Sequence, residues 1–509
     1  MAAPAPTQRG ELNAGQELLR RAAARGDAAL FHCEGRTTRG DELVARAEGF
    51  HAALARREIA AGERVLLLLR DTPEFAAAFL GALRAGAIPV PLSTFLAPAE
   101  LAFVARDAEA RLVVLDGALP GAAELAAALP AGVRCERIEA GRGLDPGPGA
   151  APAPARTRAA DPAFWLYTSG TTGEPKGVLH RHGDLLATAE AYARGVLGLG
   201  PGDRGLSASK LFFAFGLGNS LGFPLALGFE AVLHPGRPTP EAIFALFERH
   251  APSVFFGVPT LYAALLAHPA LPRRLPGLRL CVSAGERLPP GLLARWQDRF
   301  GVEILDGLGS TEMLHVFLSP RPGAVVPGSC GRPVPGYAVR VVDAEGSEVA
   351  PGEVGTLLVR GPSASPGYWR RPERTAETML ASGWIRSGDS VRREPDGSYT
   401  HLGRTDELLK VGGIYVAPAE VEAVLLEHPQ VMEAAVVGHA DPQGLVKPHA
   451  FVVPRPGAAP GPELGAELLA FARSRLAPFK VPRGLTLRDT LPRTATGKLQ
   501  RHRLQAELA

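Results

Sequence analysis

Short unbroken apolar runs alternate with longer apolar or amphipathic stretches through the first half of the chain. Arg64–Leu69 reads RVLLLL, a strand buried on both faces, and Glu74–Ala85 carries the helix that follows, stopped at Gly86. Ile88–Leu92, Leu112–Leu115 and Ala163–Tyr167 repeat the strand pattern. Fully apolar strands separated by helices predict α/β layers built on parallel sheets. From Phe212 to Phe229 the chain carries no charge, a length that could approach a bilayer span. Gly216, Gly218, Asn219, Ser220, Gly222, Pro224 and Gly228 lie inside it, and such a density of helix-weakening residues predicts a buried turn-and-helix region beside a cavity.

After Pro333 the texture changes to short strands between Gly/Pro turns: Ala338–Val342, Gly355–Val359 and Ser398–Leu402. This predicts a small β subdomain. Past Arg404 a second α/β pattern begins, with a helix over Ala419–Glu427 opened by Pro418, strands at Val431–Gly438 and Ala450–Val453, and a helix over Glu463–Leu476. The Pro/Gly-rich tracts Pro146–Ala155 and Pro454–Pro462 read as a loose connection and a turn. The boundary is expected at Gly403–Asp406, giving domains 1–403 and 404–509. So short a polar segment suits a hinge between defined positions.

Composition removes several classes. With 55 basic and 52 acidic residues and a net charge of +3, nothing suggests a nucleic-acid or membrane-seeking surface. Cys33, Cys135, Cys281 and Cys330 are far apart, and the polar, Ala/Pro-rich N-terminus has no apolar core; the expectation is a cytoplasmic chain with reduced thiols. His180 and His182 form the one close histidine pair, without further ligands nearby for a metal. Oligomeric state is not legible, a homodimer included.

The most specific chemistry lies in Tyr167-Thr168-Ser169-Gly170-Thr171-Thr172-Gly173-Glu174-Pro175-Lys176-Gly177. Glycines let backbone N–H groups turn toward an anion, hydroxyls add donors and Lys176 adds charge, so this loop is built to hold nucleotide phosphates. It is not a Walker A loop: Pro175 and Gly177 replace the second obligatory glycine and the metal-binding hydroxyl.

The loop resembles the phosphate-binding signature of the adenylate-forming enzymes, the AMP-binding superfamily of acyl-CoA synthetases, adenylation domains and luciferases. The superfamily's other motifs follow in order: Gly309-Ser310-Thr311-Glu312, Ser387-Gly388-Asp389, Gly403-Arg404-Thr405-Asp406 with Lys410-Val411-Gly412-Gly413, and Pro492-Arg493-Thr494-Ala495-Thr496-Gly497-Lys498. The resemblance covers the chain from about residue 10 onward. It implies a large N-terminal domain of parallel-sheet α/β subdomains plus a small β-barrel subdomain, and a small mobile α+β C-terminal domain. ATP, Mg²⁺ and CoA are the implied partners of a carboxylic acid.

By resemblance, Thr168–Lys176 cradles the β- and γ-phosphates, Thr311 and Glu312 sit at the α-phosphate with Glu312 on Mg²⁺, and Asp389 with Arg404 holds the ribose. Ala284, Gly285, Glu286, Asp306 and Gly307 match adenine-binding segments. Lys498 matches the lysine that bridges carboxylate and α-phosphate in the first half-reaction. Asp406 matches the pivot that withdraws it, Lys410, Gly412 and Gly413 would then line a pantetheine passage, and Phe479 and Lys480 resemble contacts to the CoA nucleotide. A core Phe beside a surface Lys is the competing reading of that last pair.

Lys210–Asn219 (KLFFAFGLGN), Ser310–Phe317 (STEMLHVF) and Ile414-Tyr415-Val416 resemble the benzoate-CoA ligase branch in particular. In that branch, residues matching Ala214, Phe215, Gly216, Gly309, His315 and Val316 line the acid pocket, and Phe213 matches an aromatic gate. Phe215 and Val316 replace the tyrosine and isoleucine common there. The second change makes room for about one methylene, worth about 1–3 kcal/mol in discrimination. His315 could bond a ring substituent or satisfy a buried carbonyl. The function implied is ATP-dependent ligation of benzoate or a close analogue to CoA; the alternative is an aryl acid adenylating enzyme that loads a carrier protein.

Overall fold

The computed structural model describes residues 10–139, 141–168, 175–407, 409–411, 414–440, 446–458, 461–493 and 499–508. Among them, nine strands form the main sheet. Its centre is parallel, in the spatial order Ile304–Gly309, Leu280–Ala284, Val254–Gly257, Arg204–Ser207, Glu230–Leu233 and Ala29–Cys33. The edges turn antiparallel, through Val316–Ser319 and Arg332–Pro333 on one side and Arg36–Arg39 on the other.

A second, all-parallel sheet holds Ile88–Pro91, Arg64–Leu68, Ala110–Asp116 and Arg134–Ile138 in that order. The RVLLL strand is buried along its length after Arg64, and the helix Pro73–Arg84 is buried on every side. That is why both read as apolar runs rather than amphipathic patterns. The uncharged 212–229 stretch folds into a turn-and-helix region: the half-buried helix Ala214–Leu217 and the buried helix Phe223–Leu227 flank a buried π-helical turn at Gly218–Gly222. No helix among the described residues is long and apolar enough to cross a membrane.

Ala338–Val342, Val354–Arg360, Ile385–Arg393 and Tyr399–Arg404 form an antiparallel sheet. Tyr399 bonds back to Cys330 and Gly331 (2.8 and 2.9 Å), fastening this β subdomain to the end of the main sheet. The C-terminal domain packs the helices Pro418–Leu426 and Pro462–Arg473 on the sheet of Val431–Ala440, Val446–Pro454 and Gly484–Leu487. It has its own apolar core, led by Val421, Leu425, Val436, Val452 and Leu468. All four cysteines are free thiols.

Candidate active site

The phosphate-loop motif is flanked by two antiparallel strands, Pro162–Thr168 and Lys176–Arg181, which pair Thr168 directly with Lys176. Ser169, Gly170, Thr171, Thr172 and Gly173 lie outside the described residues. Three backbone or side-chain ties fasten the hairpin to its surroundings. Gly177 O accepts from Trp369 N–H (2.8 Å), Leu179 N–H donates to Gly367 O (3.1 Å), and His180 Nε2 donates to Thr311 O (2.9 Å). The last bond couples the hairpin to Gly309–Glu312. His182 accepts from Ala14 N–H through Nδ1 (3.1 Å).

Ser310 caps the 3₁₀ turn Thr311–Met313, accepting from Met313 N–H (3.2 Å). Glu312, half-buried, accepts from the Tyr368 hydroxyl through Oε1 (2.7 Å), while Lys176 Nζ lies 3.8 Å from the centre of the Tyr368 ring. Burial lowers the Lys176 pKa, opposed by the charge of Glu312. Oε2 of Glu312 has no partner among the described residues. One carboxylate at a phosphate loop fits Mg²⁺, which keeps most of its shell as water and phosphate oxygen. No group of three or more His, Cys, Asp or Glu able to hold a metal occurs among the described residues.

Asp389 is buried and pairs in register with Arg404 across two antiparallel strands. Its Oδ1 accepts from His401 Nε2 (3.3 Å) and Arg404 Nη1 (3.4 Å), and Arg404 also donates to Ser387 O (2.8 Å). Burial would raise this carboxyl, but the His401 bond and the charges of His401 and Arg404 outweigh it and hold the pKa below the usual value. Asp306, on the strand Ile304–Gly309, accepts from Leu288 N–H at Oδ2 (3.1 Å), which fixes the turn after Ala284, Gly285 and Glu286. Burial pushes the Asp306 carboxyl up to about 7.

The acid segment is anchored at its start by a buried carboxylate, Asp71, whose Oδ1 accepts from Leu211 N–H (3.1 Å). Lys210 spends its ammonium on His234 O and Gly236 O (both 2.6 Å). Phe213, Ala214 and Phe215 follow, each part-exposed, with Gly216 buried behind them. Gly307 and Gly309 must lack side chains: a Cβ on Gly309 would stand 2.7 Å from His315 O, and one on Gly307 would stand 2.8 Å from Val316 Cγ1. This close approach packs the Val316 strand tightly against Ile304–Gly309.

His315 faces a buried carbonyl oxygen, that of the Asn219 side-chain amide. Its Nε2 lies 3.1 Å from Asn219 Oδ1, inside a cage of Phe223 (4.6 Å between ring centres), Phe215 (5.2 Å) and Tyr192 (5.3 Å). Burial lowers its pKa to about 3.

The two domains meet at this site. Arg287 Nη1 donates to Ala419 O (3.0 Å), and Arg493 Nη1 stands 3.6 Å from Glu286 Oε1. Gly412, Gly413 and Lys498 lie outside the described residues, as do the side chains of Asp406 and Lys410. Lys480 donates to Glu420 (2.7 Å), and Phe479 packs partly against the C-terminal core.

The comparisons with known proteins agree with this arrangement. The AMP-binding enzyme model matches residues 18–369, and the AMP-binding enzyme C-terminal domain matches residues 420–498. The chain belongs to the AMP-binding enzyme family. Among this family's members, a benzoate–CoA ligase of Thauera aromatica is 44% identical over 97% of this chain and 96% of its own length. The structure is similar to that of a benzoate CoA ligase from Burkholderia xenovorans LB400 (TM-score 0.90, 46% identity, 97% of this chain and 99% of that one). An anthranilate CoA ligase in complex with anthranoyl-AMP is similar too (TM-score 0.92, 36% identity, 99% of this chain and 98% of that one).

Sequence reading missed Tyr368, His401 and His180 as parts of the site. His401 shares a strand with Arg404, which was a usable signal. Tyr368 lies 56 residues from Glu312 and carries none within its own segment.

Proposed function

We propose that this protein is an aromatic carboxylic acid–CoA ligase that uses ATP and Mg²⁺ and releases AMP and pyrophosphate. The observation that carries the reading is the convergence of Lys176, Glu312, Arg404 and Asp389 beside a short aromatic acid segment, in a chain 44% identical to a benzoate–CoA ligase.

A carboxylate oxygen is a poor leaving group, so a thiol does not displace it at neutral pH. Attack of that oxygen on the α-phosphate expels pyrophosphate and gives an acyl-adenylate, whose leaving group is AMP. The protein's work is alignment and charge stabilisation. Lys176 and the phosphate loop hold the β- and γ-phosphates, Thr311 meets the α-phosphate, and Asp389 with Arg404 receives the ribose hydroxyls. Glu312 holds Mg²⁺, which neutralises phosphate charge when bound. Lys498 bridges the carboxylate and the α-phosphate. The Glu286–Arg493 approach supports this, because Arg493 begins the segment that ends at Lys498.

The hinge lies at 404–406, dividing domains 1–403 and 404–509. Rotation about Asp406 withdraws Lys498 and brings Lys410, Gly412 and Gly413 to the pantetheine path. Phe213, Ala214, Phe215, Gly216, Gly309, His315 and Val316 form a slot for one ring, with benzoate or a small substituted benzoate as its acid. Free thiols support a cytoplasmic setting.

Mass spectrometry of reactions with ATP, Mg²⁺, CoA and a panel of benzoates, cinnamate and a medium-chain fatty acid tests the reading. The expected product is an aroyl-CoA with AMP. Acyl-adenylate without thioester would point to a carrier-protein acceptor, and no turnover of any aromatic acid would refute the substrate class.

A further inference from the structure

Tyr368 joins two parts of the phosphate site. Its hydroxyl donates to Glu312 Oε1 (2.7 Å), and its ring face carries the Lys176 ammonium at 3.8 Å. The backbone holds the ring in place independently of that hydroxyl. Tyr368 pairs with Val178 in an antiparallel bridge, its N–H donates to Thr375 Oγ1 (3.0 Å), and the next N–H donates to Gly177 O (2.8 Å). The proton of the hydroxyl goes to Glu312, while its oxygen also bonds the Thr378 side chain at the end of the following helix.

Glu312 and Lys176 carry opposite charges and act on each other. A carboxylate and an ammonium in a half-buried site attract strongly, and a direct pair would withdraw each from its ligand. Among the described residues they form no ion pair; the tyrosine stands between them. Its π face takes the cation and its hydroxyl takes one carboxylate oxygen. Carboxylates that ligate metals are commonly fixed by such outer hydrogen bonds, whose loss costs about 10–100-fold in metal affinity.

We propose that Tyr368 is a positioning residue for metal-dependent nucleotide binding: it fixes Glu312 with Oε2 available to the Mg²⁺ of MgATP and keeps Lys176 off that carboxylate. This rests on the assignment of Glu312 to Mg²⁺ made above.

Tyr368→Phe keeps the ring face and removes the hydroxyl; Tyr368→Leu removes both. Two quantities are measured: the Mg²⁺ concentration giving half-maximal benzoate-dependent ATP–pyrophosphate exchange, and ATP affinity by equilibrium dialysis in EDTA. Tyr368→Phe should need about tenfold more Mg²⁺, recover its exchange rate at saturating metal, and bind metal-free ATP as the wild type does. Tyr368→Leu should in addition bind metal-free ATP more weakly, because Lys176 loses its seat. An unchanged Mg²⁺ requirement in Tyr368→Phe, or a loss equal at every Mg²⁺ concentration, overturns the proposal. Glu312→Gln separates the two levels: if it leaves the Mg²⁺ requirement at the wild-type value, the assignment of Glu312 fails and the proposal falls with it.

Discussion

Arg493 of the C-terminal domain stands 3.6 Å from Glu286 of the segment assigned to adenine, while its other amino group holds Glu433 at 2.6 Å within its own domain. The cross-domain approach is the longer and weaker of the two. That suits a contact made in one domain position and released in another. Both side chains are partly exposed, so the pair is worth about 0–1 kcal/mol.

Glu286→Gln should therefore slow adenylation by at most about fivefold and leave thioester formation from preformed aroyl-AMP unchanged. Lys498→Ala should lose adenylation by about 100-fold or more while retaining the second half-reaction. Single-turnover assays of each half check both; an equal loss in the two halves would contradict the assigned roles.

Asp306 gives a stability prediction with a defined sign. Its folded pKa, about 7, exceeds the usual carboxylate value because the group is buried. Between about pH 4 and 7 the folded protein holds a proton that the unfolded chain has released, so stability falls as pH rises through that window. Asp306→Asn removes this slope. Its melting temperature relative to wild type should rise from pH 5 to pH 8; a constant difference would contradict the burial argument.

His315 is neutral at any working pH, since burial lowers its pKa to about 3. The unfolded chain binds a proton at this histidine below about pH 6.5, so its contribution to stability declines as pH falls from 6.5 toward 3. His315→Gln should lower kcat/KM for benzoate without moving the acidic limb of the pH profile. Loss of that limb in the variant would show that His315 titrates during turnover.

Val316 is buried in the close packing against Gly307 and Gly309. Val316→Ile should reduce kcat/KM for methyl-substituted benzoates relative to benzoate by about 10–200-fold, the range of one methylene. Competition between the two acids reads the ratio directly. An unchanged ratio would remove Val316 from the acid pocket.

The layers of the fold were legible from two signals: uniform burial places Arg64–Leu68, and the short strand between Gly/Pro turns places Ala338–Val342, which is only half-buried. The phosphate hairpin and Asp389–Arg404 were legible because phosphate and ribose chemistry demands unusual residue strings. Tyr368 was not, since its bond to Glu312 spans 56 residues and leaves no trace in its own segment; His401 is signalled only by sharing the strand of Arg404. His315 was seen as a site residue, but its bond to Asn219 depends on tertiary packing. The Asp71–Leu211 bond, spanning 140 residues, was equally hidden.

In the proposed reaction the acid's own oxygen attacks the α-phosphate of ATP. Benzoate labelled with ¹⁸O in both carboxylate oxygens, incubated with the enzyme, ATP, Mg²⁺ and CoA, tests this directly. The expected products are benzoyl-CoA and AMP carrying one ¹⁸O atom. Label in inorganic phosphate with release of ADP, or AMP formed without label, would contradict it.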